Sequence, residues 1–391
     1  MTRTAAATED DAIAFAEKVF ALLDETRYTT TYKLAVLLGL MDLCLEKAAP
    51  SGGPPDVVTT RELAEKVAEI YWPHTLPFGS TRTAAVLRQG SSGQAEILSL
   101  IERFRSSLGD GSVPLMKVRV GAGRAYSRLL DQIEWKLIEM PLPRLQNIGN
   151  TADRFIYEIN WEKSVPYRDI VRYQKEQRGF DNRILLKPRV GEHLVRLNGL
   201  LRPLIHRRWA GMVAALNRQE DSRLEEFLFG AERIDLSVTR TPLWEMQEGR
   251  CFYCSRRIRE PKQSHVDHFI PWSRYQENGL SNLVIADAKC NGDKSDFLAA
   301  VEHMERWLDR FRSPSPVASD LQTLAGRIQW DLSPQRTLIV ARGMYGRLRG
   351  DVKLWRLGRD FVNAEPARIR QLFSDLATPG GYMLATIERR L

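Results

Sequence analysis

Apolar residues recur at helical spacing from the start of the chain. Ile13, Phe15, Ala16, Val19, Phe20, Leu22 and Leu23 mark the inner face of one helix. The run Tyr32–Leu45 is apolar on almost every side, which predicts a helix buried all round. Residues 49–57 string together proline, serine and glycine and predict a loop. Thr59 stands three residues before Glu62, the spacing of a capping box, and opens a helix that ends near Tyr71, ahead of Pro73 and Pro77. Amphipathic helices are expected over Ala95–Ser106 and Ser127–Glu139, the second stopped by Pro141 and Pro143. Leu194–Leu216 reads as a helix broken or kinked at Pro203, with Trp209, Met212 and Leu216 on one face. A single helix is expected from Asp293 to Leu308. Strand character is confined to short segments such as His265–Ile270, which alternates until Pro271 ends it, and the apolar Leu283–Ala286. The fold class is therefore mainly α.

Composition narrows the class. The chain has 391 residues, of which 43% are hydrophobic and 27% charged, enough apolar material to exclude wholesale disorder. The most apolar run, Leu34–Leu45, is interrupted by Asp42 and is too short to span a bilayer, so no membrane association is expected. Met1–Ala12 has no basic stretch followed by an apolar one and does not read as a signal peptide. Four cysteines do not make a disulfide framework in this length, which points to a reducing cytoplasm and to metal rather than disulfides. Four regions are expected: a helical domain at 1–125, a basic helical region at 126–240, a chemistry-bearing module at 241–312 and a basic region at 313–391. Ser313–Pro316 reads as the linker before the last. The formal net charge is +8. Residues 1–60 are acidic, 151–210 and 336–359 basic, and 241–300 balanced. Such a total allows a polyanionic partner without naming one.

The chemistry concentrates between residues 250 and 296. Cys251-Phe-Tyr-Cys254 is followed by His265-Val-Asp267-His268, then Asn282-Leu-Val-Ile, then Cys290-Asn291-Gly-Asp-Lys294. Neighbours on a strand point to opposite faces, so Asp267 and His268 serve one site from two directions. The carboxylate suits a divalent cation and the imidazole suits a water beside it, the parts needed to hydrolyse a phosphodiester. Asn291 offers a neutral oxygen of the kind a hard ion such as Mg²⁺ takes. Lys294, in the first turn of a helix, meets either phosphate or solvent. Asn282, at a turn, can bond backbone and pin the loop that carries His268. Cys44, among Leu40, Met41, Leu43 and Leu45, reads as core, and His74, His193, His206 and His303 as structural or exposed. The helix at Thr59–Ile70 is expected to pack rather than to read DNA, because its surroundings are acidic.

In this order the elements resemble the HNH endonuclease family, which has a ββα-metal fold, and also the HNH domain of RNA-guided CRISPR nucleases. The resemblance covers about residues 245–300 and implies a small ββα-metal module between helical flanks. It implies that His268 is the general base, that Asp267 and Asn291 hold one Mg²⁺ or Mn²⁺ ion, and that Asn282 positions the base-bearing loop. Many relatives carry two Cys-x-x-Cys pairs on one structural zinc. Here the second pair has Asp287 where the first cysteine would stand, so Zn²⁺ would take Cys251, Cys254 and Cys290, with Asp287 or His265 as the fourth ligand. Lys294, Arg256, Arg257 and Arg259 are the expected nucleic-acid contacts, with the basic run 336–359 as a further DNA track. The expected function is a metal-dependent DNA endonuclease, set by the flanking sequence in bacterial restriction or phage defence, working as a homodimer or with a partner protein. The alternatives are a non-catalytic zinc-stabilised nucleic-acid-binding protein and an RNA-directed nuclease.

Overall fold

The computed structural model describes residues 2–24, 29–49, 52–79, 84–109, 113–148, 151–161, 164–176, 179–219, 223–230, 235–312 and 315–375. Helices dominate, and the sheets are small. The chain forms two compact units. One comprises Met1–Cys44 and Pro54–Gly230, the other Leu45–Gly53 and Ala231–Leu391.

In the first unit the expected helices form at Thr2–Asp24, Tyr32–Glu46, Thr60–Tyr71, Glu96–Ser107 and Gly123–Glu139. The Tyr32–Glu46 helix is buried on all sides, Cys44 included. Its one interior charge, Asp42, is matched by the buried guanidinium of Arg202. An unpaired carboxylate there would carry a large desolvation penalty. The capping box at Thr59 and Glu62 is present in both directions. The helix it opens packs against the Gly123–Glu139 helix: Thr60 donates to Glu134 at 2.6 Å and Arg61 pairs with Asp131 at 2.6 Å. An antiparallel sheet in the order Val57–Thr59, Arg183–Leu186, Tyr157–Ile159 completes the unit.

Two helix expectations are corrected. Residues 194–216 do not break at Pro203. The interruption falls at Leu197, between Val190–Arg196 and Asn198–Asn217, with Pro203 inside the second helix. A proline ring crowds the carbonyl four residues back, here Gly199, and the interruption lies two residues before that carbonyl. Trp209 is buried on that helix as expected, but its companions are Leu201, Ile205 and Val213 rather than Met212 and Leu216. The second correction concerns 293–308. Two helices, Ala288–Lys294 and Val301–Asp309, replace one, because Ser295 takes φ 43° and the chain then runs extended. The extended piece is held by Trp355, whose backbone bonds Leu298 and Ala300.

The second unit is built around the antiparallel pair Ser264–His268 and Leu283–Asp287, in which Asp267 faces Val284 and His268 faces Leu283. The helix Ala288–Lys294 follows without a gap, giving the ββα arrangement. Around it lie the helices Val301–Asp309, Pro316–Ile328 and Pro334–Tyr345 and a second hairpin, Lys353–Leu357 with Asp360–Asn363. Phe269 stacks on Trp307 with ring centroids 4.6 Å apart, and Tyr345 and Trp355 close the same core, fully buried. These two aromatics of the basic run are core residues. Ser313 and Pro314 of the expected linker lie outside the described residues, while Ser315 caps the helix after it by accepting from the Ala318 amide. Gly52, at φ 84°, turns the loop after Ala48 in a conformation that favours glycine, and its carbonyl accepts from Arg347. No helix among the described residues is long and apolar enough to cross a membrane.

Candidate active site and metal centre

The hairpin and the helix after it bring most of the expected residues into one place. Asp267 and His268 end the first strand, both nearly buried. His268 Nε2 lies 2.6 Å from Asn278 Oδ1, and its ring lies 5.3 Å from that of Trp272. Burial pushes the imidazole below its ordinary range, against the bond to Asn278 and the Asp267 carboxylate, which favour the charged form.

Asp267 is held from two sides. Tyr253, inside the Cys-x-x-Cys turn, donates to its Oδ2 at 2.5 Å. Lys294 Nζ lies 3.1 Å from the same oxygen, 3.4 Å from Oδ1 and 2.7 Å from the His268 carbonyl, to which it donates. Lys294 has no exposed surface at all. Its ammonium locks the end of the strand to the helix. Asn291 is half-buried one turn earlier on that helix, on the side that carries Lys294.

Asn282 is fully buried at the start of the second strand. Its Oδ1 accepts from the Ile270 amide at 2.8 Å, and its Nδ2 donates to the carbonyls of Ile270 at 3.1 Å and Glu277 at 3.3 Å. One side chain thus fastens both ends of the loop that leaves His268, as expected for a turn asparagine.

The cysteines form a second centre. The donor atoms of Cys251, Cys254, Asp287 and Cys290 all lie within 4.8 Å of one another, a set that could hold a metal ion. Cys254 Sγ is 3.0 Å from Asp287 Oδ2, and Asp287 Oδ1 accepts from the Cys290 amide at 2.9 Å, capping the helix. Burial pushes the Cys251 thiol up to about 11 and raises that of Cys290 further. Burial opposes the charge on Asp287, yet the bonds from Cys254 and the Cys290 amide hold its carboxyl well below the usual range. His265, the other candidate fourth ligand, is exposed and is not in this set. Arg256, Arg257 and Arg259 are exposed on the segment after the Cys-x-x-Cys turn. Within 336–359, Arg336 pairs with Glu277 and Asp331, Arg342 bonds the Ala48 carbonyl, and Arg356 pairs with Asp360. His74 and His303 are buried on backbone carbonyls of Leu228 and Arg356, and His206 stacks on Phe229.

Tyr253, Glu277 and Asn278 escaped sequence reasoning. Tyr253 was visible only as a spacer between cysteines, and Glu277 and Asn278 only as a turn signal before Gly279. Glu277 is buried, with Oε1 accepting from Thr337 at 3.0 Å and Oε2 without a hydrogen bond. Burial raises its carboxyl to about 7, with Arg336 and Thr337 pulling the other way. A folded-state value above the unfolded one means that this stability is complete below about pH 4 and is lost as pH rises through about 7. The loss is up to about 3 kcal/mol by pH 9. Glu277→Gln is expected to flatten the fall in melting temperature between pH 5 and pH 9; an unchanged slope would contradict this account of Glu277.

Residues 251–300 match the family model described as HNH endonuclease. Residues 13–228, more than half of the chain, match the model described as Domain of unknown function (DUF8808). The chain belongs to the DUF8808 family. No curated protein matches it. Apart from residues 45–53 the DUF8808 match lies within the first compact unit, and the HNH endonuclease match lies within the second. The chemistry-bearing residues of this DUF8808 protein, from Cys251 to Lys294, all fall inside the HNH match.

Proposed function

We propose that the protein is a metal-dependent endonuclease that hydrolyses phosphodiester bonds in DNA. The observation that carries this reading is a buried histidine held by Asn278 at the end of a strand, beside a carboxylate, in an HNH endonuclease domain. A purely structural module needs no such base. His268 takes the proton of the attacking water as its oxygen bonds phosphorus, and the bond to the leaving oxygen breaks in line. Asn282 holds the loop behind the base. Lys294 and Tyr253 hold the Asp267 carboxylate in one orientation.

A catalytic cation fits the donors present. An ionised carboxylate has about four lone-pair sites. Tyr253 and Lys294 engage Oδ2 of Asp267, and Oδ1 keeps only the longer 3.4 Å contact. Asp267 and the amide oxygen of Asn291 would hold Mg²⁺ or Mn²⁺, which would stabilise charge on the scissile phosphate and the leaving oxygen. Cys251, Cys254, Cys290 and Asp287 suit one structural Zn²⁺, since three thiolates and a carboxylate are an acceptable tetrahedral set. The exposed Arg256, Arg257 and Arg259 beside that centre supply phosphate contacts. A setting in bacterial defence rests on the resemblance of the flanking sequence alone.

The test is supercoiled plasmid incubated with the full chain and Mg²⁺ or Mn²⁺, beside duplex DNA and structured RNA. Nicked or linear plasmid that disappears with EDTA is the expected result. Digestion of RNA alone would move the substrate class, and no cleavage with any metal would overturn the reading.

A further inference from the structure

We infer that Asn278 is a positioning residue that fixes which nitrogen of His268 acts, and that Trp330–Thr337, outside the HNH match, holds Asn278 in place. The inference rests on the reading of His268 as the general base. An amide oxygen only accepts, so the 2.6 Å contact between Asn278 Oδ1 and His268 Nε2 puts the ring proton on Nε2. Nδ1 then carries the lone pair, and it hydrogen-bonds no protein group among the described residues. The nitrogen left over is the one that can take a proton from water.

An asparagine on a loop orients a ring only if the loop is itself held. Asn282 ties down the carbonyl of Glu277, the residue just before Asn278. The remaining anchors come from beyond the match. Trp330 Nε1 donates to the Asn278 carbonyl at 2.7 Å, and the Leu280 amide donates to the Asp331 carbonyl at 2.9 Å. Thr337 donates to the buried Glu277 at 3.0 Å. Residues 277, 278 and 280 are thus gripped by one C-terminal segment more than 50 positions away, which runs from the end of the Pro316–Ile328 helix into the first turn of the Pro334–Tyr345 helix. A wrongly oriented or wrongly protonated imidazole is a poor base however close it lies.

The experiment compares the full chain with Asn278→Ala, Asn278→Asp and Trp330→Phe. Long-range ¹H–¹⁵N spectra of histidine-labelled protein report the tautomer, with the His268 signals assigned by their loss in His268→Ala. Wild type is expected to show the Nε2–H form and Asn278→Ala a mixture of tautomers. Asn278→Ala is expected to lose kcat roughly 10- to 100-fold with KM within about twofold, and Asn278→Asp, which keeps an acceptor, to restore most of it. Trp330→Phe is expected to give a smaller kcat loss of the same kind. An Nδ1–H ring in wild type, or wild-type kcat in a folded Asn278→Ala, would overturn the inference. If wild type cleaves nothing, the endonuclease reading falls, while the tautomer spectra still decide the role of Asn278.

Discussion

His268→Ala is expected to remove plasmid cleavage by about 10²- to 10⁴-fold while leaving the fold intact, the range that one positioned general base contributes. The imidazole follows Asp267 directly at the end of the strand, and Asn278 and Trp272 define its position. Its removal vacates a nearly buried site at the end of a strand, but the strand pairing and the Lys294 bond to the residue's own backbone carbonyl both survive. The variant should therefore keep its melting temperature to within a few degrees and keep its metal content. Cleavage that persists at the wild-type rate in a folded variant would remove His268 from the mechanism. Asn282→Ala makes the contrast: it strips three hydrogen bonds from the loop and should cost activity and stability together.

Removing the zinc proposed for the cysteine centre is expected to have the largest effect on stability. A structural zinc is worth on the order of 10 kcal/mol to a minimal fold. The second unit also has a core of its own around Phe269, Trp307, Tyr345 and Trp355, so the loss here should be smaller, about 5 kcal/mol, or roughly 10–20 °C in melting temperature. The full chain should bind close to one zinc, measured by mass spectrometry, and Cys290→Ser or a strong chelator should abolish it. Metal must displace the protons of the buried Cys251 and Cys290 thiols, so affinity should fall as pH is lowered. Asp287→Asn separates the two tasks of that residue, because an amide oxygen still caps the helix at the Cys290 amide while the anionic ligand is gone. Full zinc content and unchanged melting in Cys290→Ser would dismiss the site.

Much of this was legible in the chain because it is local. A capping box is a spacing of three, and a buried helix is a run of apolar residues. The metal-ligating types cluster within about 45 positions, in an order that strand, turn and helix bring together. Cys251, Cys254 and Cys290 meet for that reason, and Asn282 pins the loop behind His268 because a turn asparagine reaches nearby backbone. Where local signals compete, sequence reading fails. Residues 293–308 have helical periodicity throughout, but the backbone of Trp355 captures the middle as an extended segment, and Ser295 turns to allow it. Pro203 marks a disturbance in its helix but not the turn in which the chain relaxes.

By itself the sequence determined the helical class, the caps, the cysteine centre and the pairing of a carboxylate with a histidine at the end of a strand. All of these depend on residue type and short spacing. Tertiary structure alone decided what those groups touch. It buried Lys294 against Asp267, chose Asp287 over His265 to complete the cysteine set, and took Tyr345 and Trp355 into the core. It also brought Trp330 and Thr337 across 50 to 60 positions to hold the loop that carries Glu277 and Asn278. The physical reason is burial: a charge or ring removed from water must find its partner wherever the packed chain supplies one, and no spacing in the sequence records which partner that is.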